Sequence, residues 1–121
     1  MAEILIADDD EGVRAFLDRA LTGRGHSITT VADGAAAVEA FQKKTFDLLL
    51  TDIVMPLMDG IALALKAGKD FPDLRIVLMT GYAAERDRAH NLDALVDAVV
   101  EKPFTLDDIC ALVDAALAAK G

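Results

Sequence analysis

Short apolar runs alternate with segments of helical periodicity along almost the whole chain. Continuous apolar or β-branched runs predict buried strands, and apolar residues three or four positions apart predict amphipathic helices. The predicted strands are Glu3–Ala7, Ser27–Val31, Phe46–Thr51, Leu74–Met79 and Val96–Val100. Each strand is followed by a helical segment, which is typical of an α/β fold with parallel strands and right-handed crossovers.

Turn and capping residues predict where the helices begin and end. The first helix carries apolar residues from Val13 to Leu21, including Phe16, and closes at Gly23 and Gly25. The later helices are predicted to open at Asp33-Gly34, to run roughly over Asp59–Asp70, to cross about Ala84–Asn91, and to run from Leu106 to Leu117 with Thr105 as N-cap. The third and fourth strands are apolar throughout, which indicates burial on both faces and a central place in the sheet.

Length and composition favour one domain with one core. The chain has 121 residues, of which 54% are hydrophobic, and it shows no linker or internal repeat. We therefore expect a single domain over residues 1–121 with no output domain. No apolar run is long enough to cross a bilayer and no signal peptide is evident, so we expect a soluble cytoplasmic protein. The lone Cys110 fits a core position on the last helix better than a redox role.

The formal net charge of −9 argues against direct nucleic-acid binding. Nucleic-acid-binding proteins need a basic patch that neutralises phosphates, and the few Lys and Arg residues here are scattered. A protein partner is therefore expected.

Chemically reactive residue types follow four of the five predicted strands. In open parallel sheets the functional crevice lies at the carboxyl ends of the strands. The residues at these ends are Asp8, Asp9 and Asp10 after the first strand, Asp52 after the third, Thr80 and Gly81 after the fourth, and Lys102 and Pro103 after the fifth. An aspartate after a strand is often only a helix N-cap, and we expect that role for Asp10. The joint occurrence at four strand ends favours one shared site.

Converging carboxylates repel one another unless a cation neutralises them. Mg²⁺ suits such a site because it binds one or two carboxylates together with waters and phosphoryl oxygens. A carboxylate can also act as a nucleophile and form an aspartyl-phosphate, whose transition state is stabilised by Mg²⁺, a lysine and hydrogen-bond donors. Asp52, Lys102 and Thr80 supply these groups, and the pattern predicts phosphoryl transfer to a carboxylate.

These residues resemble the motifs of bacterial two-component receiver domains typified by CheY, over essentially the whole chain. The motifs are Ile4-Leu5-Ile6-Ala7-Asp8-Asp9, Thr51-Asp52-Ile53-Val54-Met55-Pro56-Leu57-Met58-Asp59-Gly60, Thr80-Gly81 and Lys102-Pro103-Phe104. The resemblance implies a doubly wound, flavodoxin-like (βα)5 fold, with a five-stranded parallel sheet of order 2-1-3-4-5.

The resemblance also implies a role for each site residue. Asp52 would be the phosphoacceptor, Thr80 the switch hydroxyl and Lys102 the phosphoryl contact, with a cis bond between Lys102 and Pro103. Mg²⁺ would be held by Asp9, Asp52 and the backbone carbonyl of Val54, and by Asp8 through water. The only chemistry expected is Mg²⁺-dependent phosphorylation and dephosphorylation of the protein's own aspartate, so the protein is not expected to be an enzyme.

The chain departs from the family pattern at two places. The fifth-strand position that is often aromatic is Val99, and Tyr82 is a possible substitute. The residue two after the phosphoacceptor is the apolar Val54, whose side chain cannot easily position a hydrolytic water. We therefore hypothesise slow autodephosphorylation.

Within the family, the sequence is similar to the CpdR type of single-domain receivers in alphaproteobacteria. The similarity rests on the segments Ala-Asp-Asp-Asp, Leu-Leu-Leu-Thr-Asp-Ile-Val-Met-Pro and Met-Thr-Gly-Tyr-Ala-Ala. This likeness implies phosphorylation by a histidine kinase or histidine phosphotransferase, and control of ClpXP proteolysis by an unphosphorylated form that engages ClpX. A monomer or weak dimer is expected, with a binding face formed by the helix predicted over Ala84–Asn91, the fifth strand and the last helix.

Two other signalling functions remain open at this point, and the residues argue against two further classes of protein. A phosphorelay shuttle or a CheY-like motor and chemotaxis regulator would carry the same site. A haloacid-dehalogenase-type phosphatase would place a second aspartate at the position of Val54. A flavodoxin-like nucleotide binder would need glycine or hydroxyl loops where this chain has acids.

Overall fold

The five predicted strands form one parallel sheet in the computed structural model, which describes residues 2–81 and 96–118. The strands are β1 (Glu3–Ala7), β2 (Ser27–Val31), β3 (Leu48–Asp52), β4 (Arg75–Thr80) and β5 (Ala98–Glu101). The helices within the described ranges are α1 (Glu11–Thr22), α2 (Gly34–Lys43), α3 (Gly60–Asp70) and α4 (Leu106–Ala118). The predicted helix over Ala84–Asn91 lies outside the described residues, as does Tyr82.

The sheet order is β2-β1-β3-β4-β5, and every neighbouring pair is parallel. This confirms the expected order 2-1-3-4-5. All five residues of β3 are buried, as predicted for a central strand. Because parallel strands all end at the same edge, the residues at their carboxyl ends are brought into one region.

Helices cover both faces of the sheet, so alternate strand residues enter two separate cores. One core joins Leu17 and Leu21 of α1 and Ile109 and Val113 of α4 to strand residues such as Leu50. The other core joins α2 and α3 to the opposite strand face; examples of its residues are Leu49, Leu63, Ala67, Ile76 and Leu78. Cys110 belongs to the first core and is buried, as predicted.

Side-chain caps hold the helix starts where the sequence placed them. Asp10 accepts hydrogen bonds from the backbone N–H groups of Gly12 and Val13, which satisfies donors that a helix start leaves unpaired. Asp33 and Asp59 cap α2 and α3 in the same way. Thr105 Oγ1 accepts from the Asp108 N–H at 3.0 Å, and the Asp108 carboxylate accepts from the Thr105 N–H at 3.2 Å. This is a reciprocal capping box, so the predicted cap at Thr105 is confirmed.

Three strand boundaries differ from those predicted. The strand predicted over Phe46–Thr51 begins two residues later, and those predicted over Leu74–Met79 and Val96–Val100 are likewise shifted towards the carboxyl end. Phe46, Leu74 and Val96 are buried although they precede the strands. Hydrophobicity therefore marked burial correctly at these positions but not the start of strand pairing.

None of the helices in residues 2–81 and 96–118 is long and apolar enough to cross a membrane.

Candidate functional site

The carboxyl edge of the sheet gathers acidic side chains around one lysine. Asp8 directly follows β1, Asp52 is the last residue of β3, and Lys102 directly follows β5. Lys102 Nζ lies 2.9 Å from Asp8 Oδ2 and 3.4 Å from Asp52 Oδ2. The strands lie in the order β1-β3-β4-β5 across this part of the sheet, which brings together side chains up to 94 positions apart in the sequence.

Three carboxylates are close enough to share a metal ion. One oxygen each from Asp8, Asp9 and Asp52 lies within 4.8 Å of the others. Asp8 and Asp52 are buried, whereas Asp9 is exposed at the mouth of the crevice. Oxygen ligands of this kind fit a hard divalent cation such as Mg²⁺. Asp10 does not join this set, because its carboxylate caps α1 as predicted.

The pKa shifts of Asp52 and Lys102 reflect the crowding of negative charge in this cluster. Burial, followed by the charge of Asp8, raises the pKa of Asp52 to about 6, although Lys102 and the Ile53 N–H act in the opposite direction. Burial alone would lower the pKa of Lys102, but its contacts with Asp8 and Asp52 outweigh burial and raise that pKa. Lys102 therefore stays protonated, but its single positive charge does not offset burial and the charge of Asp8 at Asp52.

The backbone fixes the remaining site residues. The Lys102 N–H donates to the Thr80 carbonyl at 2.8 Å, which joins the ends of β4 and β5. Thr80 is 1% exposed, so its side chain is enclosed at the same edge as Asp52. The Lys102–Pro103 peptide bond is cis, as the sequence resemblance implied. The Asp52 carboxylate is oriented by the Ile53 N–H, which donates to Asp52 Oδ1 at 3.0 Å.

Comparison with known proteins decides what this crevice belongs to. The sequence model of the response regulator receiver domain matches residues 4–114. The chain belongs to the response regulator receiver family. The resemblance found in the sequence motifs is therefore confirmed, together with the CheY-like fold and the place of the protein in two-component signalling.

Among similar proteins, the response regulator receiver protein CpdR of Brucella abortus is 48% identical over 90% of this chain and 91% of its own length. The DNA-binding transcriptional regulator NtrC of Klebsiella pneumoniae is 41% identical, but this receiver spans only 24% of that protein. The response regulator TrrA of Thermotoga maritima, solved in complex with Mg²⁺ and BeF, is 30% identical with a TM-score of 0.86, covering 96% of this chain and 99% of that one.

Gly60 lets the loop after the phosphoacceptor candidate of this receiver close tightly. A Cβ at Gly60 would lie 2.0 Å from the Asp52 carbonyl oxygen, and the Gly60 N–H donates to the Ile53 carbonyl at 2.8 Å. The backbone at Gly60 does not have a positive φ. The reason for glycine is the close approach of two backbone segments, which any side chain would push apart.

The mouth of the receiver crevice is partly apolar. Val54, Phe16 and Phe104 line it together with the acidic residues. Val54 is 47% exposed, and the rings of Phe16 and Phe104 lie 6.3 Å apart. The sequence placed Phe16 on the apolar face of α1, but it is 37% exposed. Its spacing fits both the core face and the adjoining crevice side, so periodicity could not separate the two positions.

One contact to the site had no sequence signal. Arg14, on α1, donates from Nη1 to the backbone carbonyl of Asp8 at 2.8 Å. A side-chain contact to a carbonyl depends on how α1 lies against the end of β1, which residue types and spacing do not reveal.

Proposed function

We propose that this receiver is a phosphorylation-controlled binding module of the cytoplasm, in which Asp52 accepts a phosphoryl group from a histidine kinase or histidine phosphotransferase. The observation that carries the proposal is the position of Lys102 Nζ, within 3.4 Å of Asp52 and 2.9 Å of Asp8 in a crevice of three carboxylates. A lysine beside a nucleophilic carboxylate neutralises charge on the transferred group.

The acceptor residue does its chemistry through one carboxylate oxygen. In the proposed step, that oxygen of ionised Asp52 forms a bond to phosphorus while the phosphorus–nitrogen bond of the donor phosphohistidine breaks and the imidazole departs. The Ile53 N–H orients the carboxylate and Lys102 faces the incoming phosphoryl oxygens. Mg²⁺, when bound by Asp9, Asp52 and the Val54 carbonyl and through water by Asp8, would neutralise charge on the phosphoryl group. The close carboxylates and the raised pKa of Asp52 fit this ion.

Asp8 suits an outer role at the metal. Its Oδ1 accepts from the Asp10 N–H at 2.9 Å and its Oδ2 accepts from Lys102 at 2.9 Å. Both oxygens are thus engaged by protein donors, which favours contact with Mg²⁺ through water over a direct bond.

We propose that Thr80 converts phosphorylation into a change of binding surface. Its hydroxyl would bond the phosphoryl group and bias a two-state equilibrium, which a partner reads on the side formed by β5 and α4. Residue 99 of β5 is a valine that packs against the core of α2 and α3. It therefore has no ring that could make the aromatic movement common in the family.

We also propose that no external substrate is turned over. The side chain at position 54 is an exposed valine, and a phosphatase of the haloacid-dehalogenase type needs a second acid there to protonate its leaving group.

Incubation with a small-molecule phosphodonor and Mg²⁺ tests the acceptor. Intact-protein mass spectrometry should show one added phosphoryl group in the wild type and none in Asp52→Asn. Asp47→Asn is the matched control, because Asp47 accepts a backbone hydrogen bond at the opposite edge of the sheet. A phosphoryl group retained by Asp52→Asn, or lost in Asp47→Asn, would contradict the assignment.

For the partner, we propose that the unphosphorylated form engages the N-terminal domain of ClpX, as in CpdR-type receivers. The support is 48% identity with a CpdR protein over nearly the full length of both chains. Binding should be measured with and without Mg²⁺ and beryllofluoride, which mimics the phosphoryl group. Binding by the free form that is lost with beryllofluoride supports this partner. Absence of binding in both states removes ClpX but leaves the phosphorylation proposal intact, and directs attention to a relay shuttle or motor regulator.

A further inference from the structure

The backbone and side chain of Asp8 are fixed from four directions. Its N–H donates to the Val31 carbonyl at 3.1 Å, and its two carboxylate oxygens accept from the Asp10 N–H and Lys102. Its carbonyl accepts from Arg14 Nη1 at 2.8 Å. Asp8 is 0% exposed, so each of these polar groups needs a protein partner.

The carbonyl of Asp8 belongs to the peptide plane that leads into Asp9. Holding that oxygen fixes the rotation of the plane and hence the direction in which the Asp9 backbone leaves β1. Asp9 is the exposed member of the carboxylate group, whereas Asp8 and Asp52 are held by burial. Asp9 therefore depends most on the backbone for its place.

We propose that Arg14 is a positioning residue for the metal site, which holds the Asp8–Asp9 peptide plane so that the Asp9 carboxylate lies close to Asp52. This inference rests on the proposed Mg²⁺ site. Arginine suits the task because its planar guanidinium is always charged and presents donors in a rigid geometry. It lies in the second turn of α1, whose start is fixed by the Asp10 cap, so helix and loop support one another.

The sign of the effect on Mg²⁺ affinity separates positioning from charge. Arg14 is a cation near a cation site, so by charge alone its removal should strengthen Mg²⁺ binding. A purely structural contribution would lower the melting temperature and leave the affinity unchanged. Only a positioning role predicts weaker binding after the positive charge is removed.

The test is titration of ¹⁵N-labelled protein with MgCl₂, followed through the amide resonances of Asp9 and Ile53. We expect Arg14→Met to raise the Mg²⁺ dissociation constant by about tenfold, as for other groups that orient metal ligands. In Arg14→Met, the Asp9 amide resonance should already differ from its wild-type position in the Mg²⁺-free spectrum. Arg19→Met, an exposed arginine on the same helix, is the matched control and should bind Mg²⁺ unchanged or slightly more tightly.

Arg14→Lys keeps the charge but lacks the rigid planar guanidinium, so its Mg²⁺ dissociation constant should lie between those of the wild type and Arg14→Met. If circular dichroism shows that Arg14→Met is unfolded at the titration temperature, Arg14→Lys replaces it in the test. An Arg14→Lys or folded Arg14→Met protein whose affinity equals or exceeds that of Arg19→Met would overturn the inference. A wild-type protein that does not bind Mg²⁺ would instead overturn the metal site on which the inference rests.

Discussion

The two edges of the sheet both carry acidic side chains but arrange them differently. At the amino edge the acids accept from backbone donors: Asp47 accepts from the Glu3 N–H at 2.8 Å, and Asp97 accepts from the Ile76 N–H at 2.7 Å. Glu3 is paired with Lys44 at 2.9 Å and Asp97 faces Arg75 at 3.8 Å. At the carboxyl edge, one oxygen from each of three carboxylates lies within 4.8 Å of the others, and Lys102 contacts two of the three, Asp8 and Asp52. Acids that join strands have donors of their own, whereas the acids of the candidate site are crowded around one another.

The pKa values of the two edges move in opposite directions. A hydrogen bond from Lys44, followed by one from Ser27, lowers the pKa of Glu3. Burial, followed by the charge of Asp8, raises the pKa of Asp52 to about 6. At the amino edge the protein's own donors favour ionised Glu3, whereas at the carboxyl edge burial and the charge of Asp8 favour protonated Asp52.

Removal of Lys102 should have the largest effect on this contrast. In EDTA, Lys102→Gln is expected to lower the free energy of unfolding by about 2–3 kcal/mol, because it leaves buried carboxylates without their cation. The value is below that for a fully buried pair because the Lys102 side chain is 24% exposed. Mg²⁺ should restore part of the loss in urea denaturation.

Lys44→Gln is the control for this variant, since it removes the lysine of the amino edge. Lys44 and Glu3 are 44% and 37% exposed, so the loss should be clearly smaller than that in Lys102→Gln and independent of Mg²⁺. Equal losses in the two variants would show that the edges do not differ as described.

The next largest effect concerns Asp52 itself and has the opposite sign. Its folded pKa of about 6 lies above the ordinary value of 3.8, so folding favours the protonated form. That contribution is complete below the unfolded pKa and is lost as the pH rises through the folded pKa. Without Mg²⁺, Asp52→Asn should therefore be more stable than the wild type by about 2 kcal/mol at pH values above 6.

Urea denaturation in EDTA at a series of pH values checks this prediction. The advantage of Asp52→Asn should shrink as the pH falls below about 6 and approach zero near the unfolded pKa. Asp47→Ala at the amino edge should instead lose about 1 kcal/mol, because the Glu3 N–H loses its acceptor. A loss of stability in Asp52→Asn at neutral pH would refute the crowding of the site.

The smallest expected effect concerns the apolar mouth of the crevice. Val54→Asn places a polar group that can position a hydrolytic water beside the phosphoryl group. It should speed dephosphorylation in Mg²⁺ about tenfold, which corresponds to about 1.4 kcal/mol of barrier. Leu65→Asn is the control, because Leu65 is exposed to a similar extent on α3. Wild-type decay within seconds, with no acceleration in Val54→Asn, would contradict slow autodephosphorylation.

Sequence patterning predicted the five strands and most helix boundaries because those depend on neighbouring residues, whereas the strand order was implied by the family resemblance. The caps at Asp10 and Thr105 follow from local hydrogen bonds and were correct. The predicted starts of β3 and β5 were wrong. Phe46 and Val96 are buried by packing, but they precede the first residues of these strands. Burial is visible in residue type, whereas the first paired residue depends on the neighbouring strand.

The residue types of the site were predictable from the sequence, whereas the contacts that hold those residues in place were less so. Asp8, Asp52 and Lys102 each follow or end a strand, which the sequence showed. The contact of Arg14 with the Asp8 carbonyl and the close approach of Gly60 to Asp52 were not predictable. Both depend on how a helix or loop packs against a strand end, and no spacing rule encodes that.

By itself, the sequence determined the βα alternation, the sheet's buried strands and the chemical groups present at their ends, because hydrophobic period and capping act over a few residues. The tertiary structure alone decided that three carboxylates and one lysine meet within a few ångströms, and that the pKa of Asp52 rises to about 6. Those quantities depend on the order β2-β1-β3-β4-β5 and on exclusion of water, which exist only once distant strands have paired.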